Sequence, residues 1–143
     1  MAKHQLYEIS LKSIMKNSQG ETLLLAEEDK SEGYDFPGGR IQEGEDDLDL
    51  SDILTREILE ETGNIQFELA KKPCAIERHT FMHDNNVTKH LIWVFFEAKF
   101  LGGDIEISEE HAGYEWVKLE EIELEKYFAR AALAGMKNYL GRE

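Results

Sequence analysis

The amino-acid sequence predicts an α/β fold in which helices pack on a mixed β-sheet, and three observations carry that expectation. Leu91–Phe100 (LIWVFFEAKF) is a long apolar run rich in aromatic and β-branched residues, as a central strand requires. Two stretches, about 51–62 and 119–140, repeat apolar residues at helical spacing. Shorter strand-like segments bounded by turn residues fill the rest, giving the order β-β-turn-α-β-β-β-α.

Each element has a local reason. Leu6–Met15 and Thr22–Ala26 read as strands separated by the turn residues Asn17-Ser18-Gln19-Gly20. A polar loop, Glu27–Gly33, leads into Tyr34-Asp35-Phe36-Pro37-Gly38-Gly39, whose paired glycines mark a turn needing positive φ or close backbone approach. After the acidic stretch Glu43–Asp52, a helix runs from about Ser51 to Thr62. Ser51 or Asp49 is its N-cap, Gly63-Asn64 ends it, and Ile53, Leu54 and Ile58 form its apolar stripe. Ile65–Leu69, Cys74–Phe81, Leu91–Phe100 and Tyr114–Leu119 are further strands. Ile122, Tyr127, Phe128, Ala131, Met136, Tyr139 and Leu140 give the final segment its helical period.

Composition narrows the class. The 143 residues suit one domain spanning 1–143, with 41% hydrophobic and 32% charged residues and no low-complexity tract. No apolar run approaches the roughly 18 residues of a membrane span, and the N-terminus lacks the apolar core of a signal peptide. A cytoplasmic protein that does not enter membranes is expected. Cys74 is the only cysteine, so internal disulfides and multi-cysteine zinc sites are excluded; in KKPCAI it reads as a packed small hydrophobe. A formal net charge of -14 repels polyanions and argues against nucleic-acid polymers as partners. Small anionic ligands remain compatible, because bound cations reverse the sign locally.

Arg56–Gly63 (REILEETG) carries the chemistry. Glu57, Glu60 and Glu61 stand at i, i+3 and i+4 and share one helix face. Like charges at that spacing destabilise a helix by roughly 0.2–0.5 kcal/mol per pair. An oxygen-rich face of this kind suits hard divalent cations such as Mg²⁺ or Mn²⁺, which turn the repulsion into attraction. The bland alternative is a solvated acidic face.

The surrounding PGGRIQEGEDDLDLSDILTREILEETG resembles the signature of the Nudix hydrolases. Gly39 fills the first position and Glu45 the first acid; Arg56, Glu57, Ile58, Glu60, Glu61 and Gly63 fill the second half. Between Glu45 and Arg56 lie ten residues where the pattern has seven, an insertion that a loop absorbs at little entropic cost. Asn64 stands where a hydrophobic residue is usual.

The resemblance implies a Nudix-type α/β/α sandwich and a pyrophosphohydrolase. Its reaction would be Mg²⁺-dependent (Mn²⁺ possible) hydrolysis of a nucleoside diphosphate linked to another group, of nucleoside triphosphate or nucleotide sugar type. It implies Glu57, Glu60 and Glu61 as metal ligands with Glu45 beside them, Arg56 holding the acids by pairing with Glu45 (the bland alternative being a surface i,i+4 pair with Glu60), and Gly38 and Gly39 approaching metal and substrate. Glu110, with Glu109 next, is the candidate extra ligand or general base in the loop before Trp116. Arg40, Arg78, His79 and His83 are candidate substrate contacts, against solvated loop residues. Phe81, Trp93 and Trp116 are candidate base-stacking residues, although core packing suits Trp93 better. His111 is a candidate orienting partner.

Marks of particular branches are missing: neither an SQPWPFP run nor a Leu-Leu-Thr-x-Arg-Ser pattern occurs, and no proline lies about sixteen residues past the box. A non-catalytic Nudix-fold nucleotide-binding module is the alternative, and an acidic ion-binding or interaction protein a more distant one. Monomer and homodimer both fit, since LIWVFF suits a core strand or a dimer edge.

Overall fold

Strand β1 (Glu8–Lys16) organises the sheet. Its two-residue alternation sends Leu11 and Met15 to one face and Ile14 to the other. The structure, a computed structural model, describes residues 1–29, 33–82 and 85–142. β1 pairs in parallel with β6 (Thr88–Gly102), from Glu8 opposite Leu91 to Lys16 opposite Lys99. It pairs antiparallel with β2 (Thr22–Ala26) and with the short β4 (Gly38–Arg40), which sits opposite Ser10–Lys12. β3 (Tyr34–Asp35) and β7 (Gly113–Val117) both pair with β2, and β5 (Gln66–Met82) lies antiparallel along β6. Among the described residues the result is one mixed seven-stranded sheet, ordered β3-β2-β1-β6-β5 with β4 on β1 and β7 on β2.

Helices cover both faces. α1 (Leu50–Thr62) lays Ile53, Leu54 and Ile58 against Leu11, Met15, Leu23 and Phe96. The other face packs Ile14, Leu24, Phe36 and Phe95 under α2 (Leu124–Tyr127) and α3 (Arg130–Tyr139), through Leu124, Phe128, Ala132 and Met136. Phe95 and Phe96, neighbours on β6, therefore anchor opposite cores, and both are buried. Burying one side chain of that size stabilises the fold by roughly 1.5–3 kcal/mol. Leu91–Phe100 is thus interior strand, between β1 and β5.

Three expectations change. The segments read as separate strands at Ile65–Leu69 and Cys74–Phe81 are one strand, β5, interrupted by register shifts between Leu69, Pro73 and Ala75. Pro73 has no N–H to give the ladder, so the chain bulges there and resumes pairing. The region 119–140 is a 3₁₀ turn (Leu119–Glu121), α2 and α3, with Phe128 and Ala129 in extended backbone between the helices. Its apolar spacing looked continuous because Leu119, Leu124, Phe128, Ala132 and Met136 all press on one core. Gly38–Arg40, expected as a turn, is a short strand on β1. Among the described residues no helix is long and apolar enough to cross a membrane.

Candidate functional site

The acidic face of α1 meets the Pro37-Gly38-Gly39 segment. The Pro37 carbonyl accepts the Ser13 N–H and hydroxyl, both at 2.9 Å, which stitches this segment to β1. Gly38 has φ +154°, and a Cβ there would collide with the Leu11 carbonyl. A Cβ on Gly39 would occupy the space of the Glu57 carboxylate. The two glycines thus let backbone approach the helix acids directly, and Gly38 N–H donates to Glu61 Oε1 at 2.7 Å.

Arg56 gathers the other acids. Its Nη2 donates to Glu45 Oε2 at 2.5 Å and Glu57 Oε1 at 3.1 Å, and its Nη1 to Glu60 Oε1 at 3.0 Å. The alternatives of a Glu45 partner and a Glu60 i,i+4 partner therefore coexist. Glu45 also accepts the Gln42 N–H at 2.7 Å, which holds its carboxyl below the ordinary range and fixes it just ahead of the inserted residues. The hydrogen bonds that Arg56 donates to Glu45 and Glu60 keep its guanidinium protonated. Glu57 and Glu61 are each only 8% exposed, whereas the Glu60 side chain is 59% exposed. Burial pushes the Glu57 carboxyl above its ordinary value despite the adjacent Arg56.

A second wall comes from the loop before β7. Glu106 and Ser108 N–H groups donate to the carbonyls of Thr62 and Glu61 at 2.9 and 3.2 Å, satisfying acceptors that the end of α1 leaves open. That tether sets Glu110 and His111 beside the helix. His111 Nε2 lies 2.7 Å from Glu61 Oε2, and its Nδ1 lies 3.5 Å from Glu27 Oε1. The Glu61 hydrogen bond raises the imidazole pKa above its ordinary value, against the opposing effect of burial. Burial and Asp35 likewise raise the Glu27 carboxyl. One donor atom each from Glu61, Glu110 and His111 lie within 4.8 Å of one another. Carboxylates with a single imidazole form a donor set that accepts Mg²⁺ or Mn²⁺.

Between these walls opens a cleft of about 320 Å³. Ser10, Lys12, Trp93, Gly38, Gly39 and Arg40 line it together with Glu27, Asp35, Glu61, Glu110 and His111. Glu27, Asp35 and Trp93 also border an adjoining hollow with His79, Tyr34 and the start of α3. Arg40 sits on the rim, 3.5 Å from Glu8 and nearly half exposed. Arg78 is not brought in. It is exposed opposite Ile92, and the two-residue period of β5 turns it to the face opposite His79. Phe81 stacks on His79 with centroids 5.1 Å apart, and Trp116 packs on Phe100 in the α1-side core. Trp93, expected in the core, packs against it and also borders both hollows. His83 lies outside the described residues.

Sequence reasoning does not single out Lys12, Glu27 or Asp35. The available signal was a charged residue inside an apolar strand: Lys12 shares the two-residue phase of the buried Ile14.

A model of the NUDIX domain matches residues 8–136. A Mus musculus protein named bis(5'-nucleosyl)-tetraphosphatase [asymmetrical] is 33% identical over 107 residues, covering 75% of this chain and 70% of that one. Among solved structures, a MutT protein from Methanosarcina mazei Go1 superposes with a TM-score of 0.71 at 24% identity, covering 98% of this chain and 97% of the other. An ADP-ribose pyrophosphatase from Streptococcus suis gives 0.66 at 16% identity, with 94% and 88% covered. At such identities the structural likenesses establish the fold.

Proposed function

The chain belongs to the Nudix family of hydrolases that act on nucleotide pyrophosphates, and from that premise we propose that it cleaves, with Mg²⁺, the diphosphate of a nucleoside triphosphate or nucleotide sugar type substrate. The observation that carries this reading is the pair of nearly buried carboxylates, Glu57 and Glu61, placed one turn apart against the Gly38-Gly39 backbone. Two buried acids on one helix face are a cost to folding that a divalent cation offsets.

In this reading Glu57, Glu60 and Glu61 would hold the cation, Glu60 from its exposed edge. A cation held there would supply charge to offset the phosphates and to make a water a stronger nucleophile. The chain's own residues do the rest. Arg56 fixes the Glu57 carboxylate and is itself held by Glu45. His111 orients Glu61 from the opposite side. Glu110, in the same cluster, is the candidate to take the proton from water. Gly38, Gly39, Arg40 and His79 border the space that substrate would fill. The reading treats residues 1–143 as one cytoplasmic domain. The name of the mouse relative adds dinucleoside tetraphosphates to the substrates worth trying.

The test is phosphate or nucleotide release with Mg²⁺ across nucleoside triphosphates, nucleotide sugars, ADP-ribose and dinucleoside tetraphosphates, with Glu57→Gln and Glu61→Gln run alongside. Turnover that collapses in both variants supports the reading. Nucleotide binding without turnover, with Mn²⁺ as well as Mg²⁺, would move the chain to the non-catalytic alternative.

A further inference from the structure

We propose that Lys12 is a substrate-contacting residue whose ammonium takes a phosphoryl oxygen of the diphosphate at the floor of the cleft. This rests on the hydrolase reading for its setting and on Lys12's own geometry for its content. Lys12 lies within β1, opposite Gly38 of β4 on one side and Phe95 of β6 on the other. Interior strand positions are normally apolar, and a lysine there loses hydration and side-chain freedom. Its side chain is nonetheless only 8% exposed, and its Nζ is fixed twice. Asp35 Oδ2 accepts from it at 3.0 Å, and the Trp93 ring centroid lies 4.7 Å away.

Pairing with Asp35 does not by itself explain the residue. Replacing a buried ion pair with apolar residues is often neutral or stabilising, so such a pair is weak evidence of a structural role. Asp35 is in turn fixed by the Phe36 N–H, which donates to its Oδ1 at 2.7 Å. Asp35 and Trp93 therefore hold the ammonium in one place beside Gly38, Glu61 and His111, the residues that share the cleft with it. An ammonium has three protons, and the Asp35 hydrogen bond uses one of them.

Charge points the same way. Four carboxylates, from Glu27, Asp35, Glu61 and Glu110, line this cleft. Among the described lining residues the permanently cationic side chains are Lys12 and Arg40, and Arg40 reaches outward to Glu8. Those carboxylates already offset the charge of a divalent cation, so a diphosphate entering the cleft needs further positive charge, and Lys12 is the buried one available among the described lining residues. A compact ammonium suits a single phosphoryl oxygen, where a guanidinium would favour two.

The experiment compares wild type, Lys12→Met, Lys12→Arg, Asp35→Asn and the double variant Lys12→Met/Asp35→Asn. Each is checked for folding by circular dichroism. Calorimetry with Mg²⁺ and the non-hydrolysable α,β-methylene analogue of ADP gives affinity, and the substrate panel gives kcat and KM. Loss of a charge-assisted hydrogen bond should weaken analogue binding about tenfold or more in Lys12→Met, with Lys12→Arg in between. The double variant, which leaves no carboxylate unpaired, should stay as weak as Lys12→Met. Recovery of affinity in the double variant would make Lys12 merely the partner of Asp35 and overturn the proposal. So would unchanged binding in Lys12→Met, or a wild type with no affinity for the analogue. A wild type that turns over the panel, with binding indifferent to Lys12, sinks this assignment alone. A wild type that binds through Lys12 yet turns nothing over sinks the hydrolase reading alone.

Discussion

α1 and α3 lie on opposite faces of the same sheet, and they obey different rules. α3 buries Ala131, Ala132, Gly135 and Met136, all without charge. α1 buries Ile53, Leu54 and Ile58, and then Glu57 and Glu61 as well. Neither helix has a side-chain cap at its N-terminus, so capping does not separate them. What separates them is the material each meets. α3 meets the Phe95 ring, and α1 meets backbone at Gly39 and a ring of compensating donors from Arg56, Gly38 and His111. One helix is explained by packing. The other carries two buried acids, a folding cost that these donors offset and that, on the proposed reading, a bound cation would relieve further.

The sharpest way to break that contrast is to mutate one residue on each side. Glu61→Gln should lower turnover by about three orders of magnitude, on the order of 4 kcal/mol in activation free energy, comparable to losing a preorganised charge-stabilising group. Its melting temperature without metal should hold or rise, because one buried charge has gone. Met136→Ala should do the reverse. It should cost about 2–4 kcal/mol of stability through the cavity left behind, with kcat per folded molecule unchanged. A metal-free Glu61→Gln protein that melts well below wild type would show that α1 is an ordinary structural helix.

Two glycines, Gly39 facing α1 and Gly135 within α3, sharpen the comparison at smaller scale. A Cβ on Gly39 would displace the Glu57 carboxylate, and a Cβ on Gly135 would strike the Phe95 ring. Gly39→Ala should therefore reduce kcat about 10- to 100-fold by misplacing the Glu57 carboxylate, the scale of losing a metal ligand's supporting partner if Glu57 acts as proposed. Gly135→Ala should cost roughly 1–3 kcal/mol of stability by overpacking, and spare kcat. Equal kcat losses in the two variants, at temperatures where both are folded, would erase the distinction.

The contrast also explains what could be read from the chain without coordinates. Arg56, Glu57, Glu60 and Glu61 sit on consecutive turns, so their shared face follows from helical geometry alone. The pairing of Glu45 with Arg56 came from the resemblance, and it survives the insertion because the Gln42 N–H holds the Glu45 carboxylate upstream of the inserted residues. Lys12, Glu27 and Asp35 belong to separate strands and loops. The antiparallel pairing of β2 with β1, and of β3 with β2, draws them together. Contacts between residues far apart in sequence leave no local period to detect. The break at Phe128 and Ala129 was hidden for a related reason: burial on one core mimics continuous helical spacing. Arg78 shows the reverse limit, where neighbours in sequence fall on opposite faces of a strand.

The smallest expected effect is in the pH dependence of the metal-free protein. His111 has a raised pKa because Glu61 accepts its hydrogen bond, and Glu57 has a raised pKa because burial disfavours its charge. The two shifts act in the same direction. For His111, the folded state binds its proton more tightly than the unfolded state, so the extra stability is complete below about pH 6.5 and is lost as pH rises through the folded value. For Glu57, ionisation in the folded state is the disfavoured event, so stability is lost as pH rises from about 4.5 towards its raised value. Between pH 5 and pH 8, a change of about 1 kcal/mol corresponds to roughly 2–4 °C in a chain of this size. Self-repulsion of the net charge of -14 also changes with pH, so the variant carries the inference. His111→Asn should flatten the part of the decline above pH 6.5 and leave the lower part standing. Added Mg²⁺ should raise the melting temperature more at pH 8 than at pH 5, because protons no longer compete for the site's donor atoms. A decline of the same shape in His111→Asn would mean that the imidazole does not report on Glu61. The coupling between the two walls of the cleft would then have to run through the backbone tethers from Glu106 and Ser108 to the end of α1.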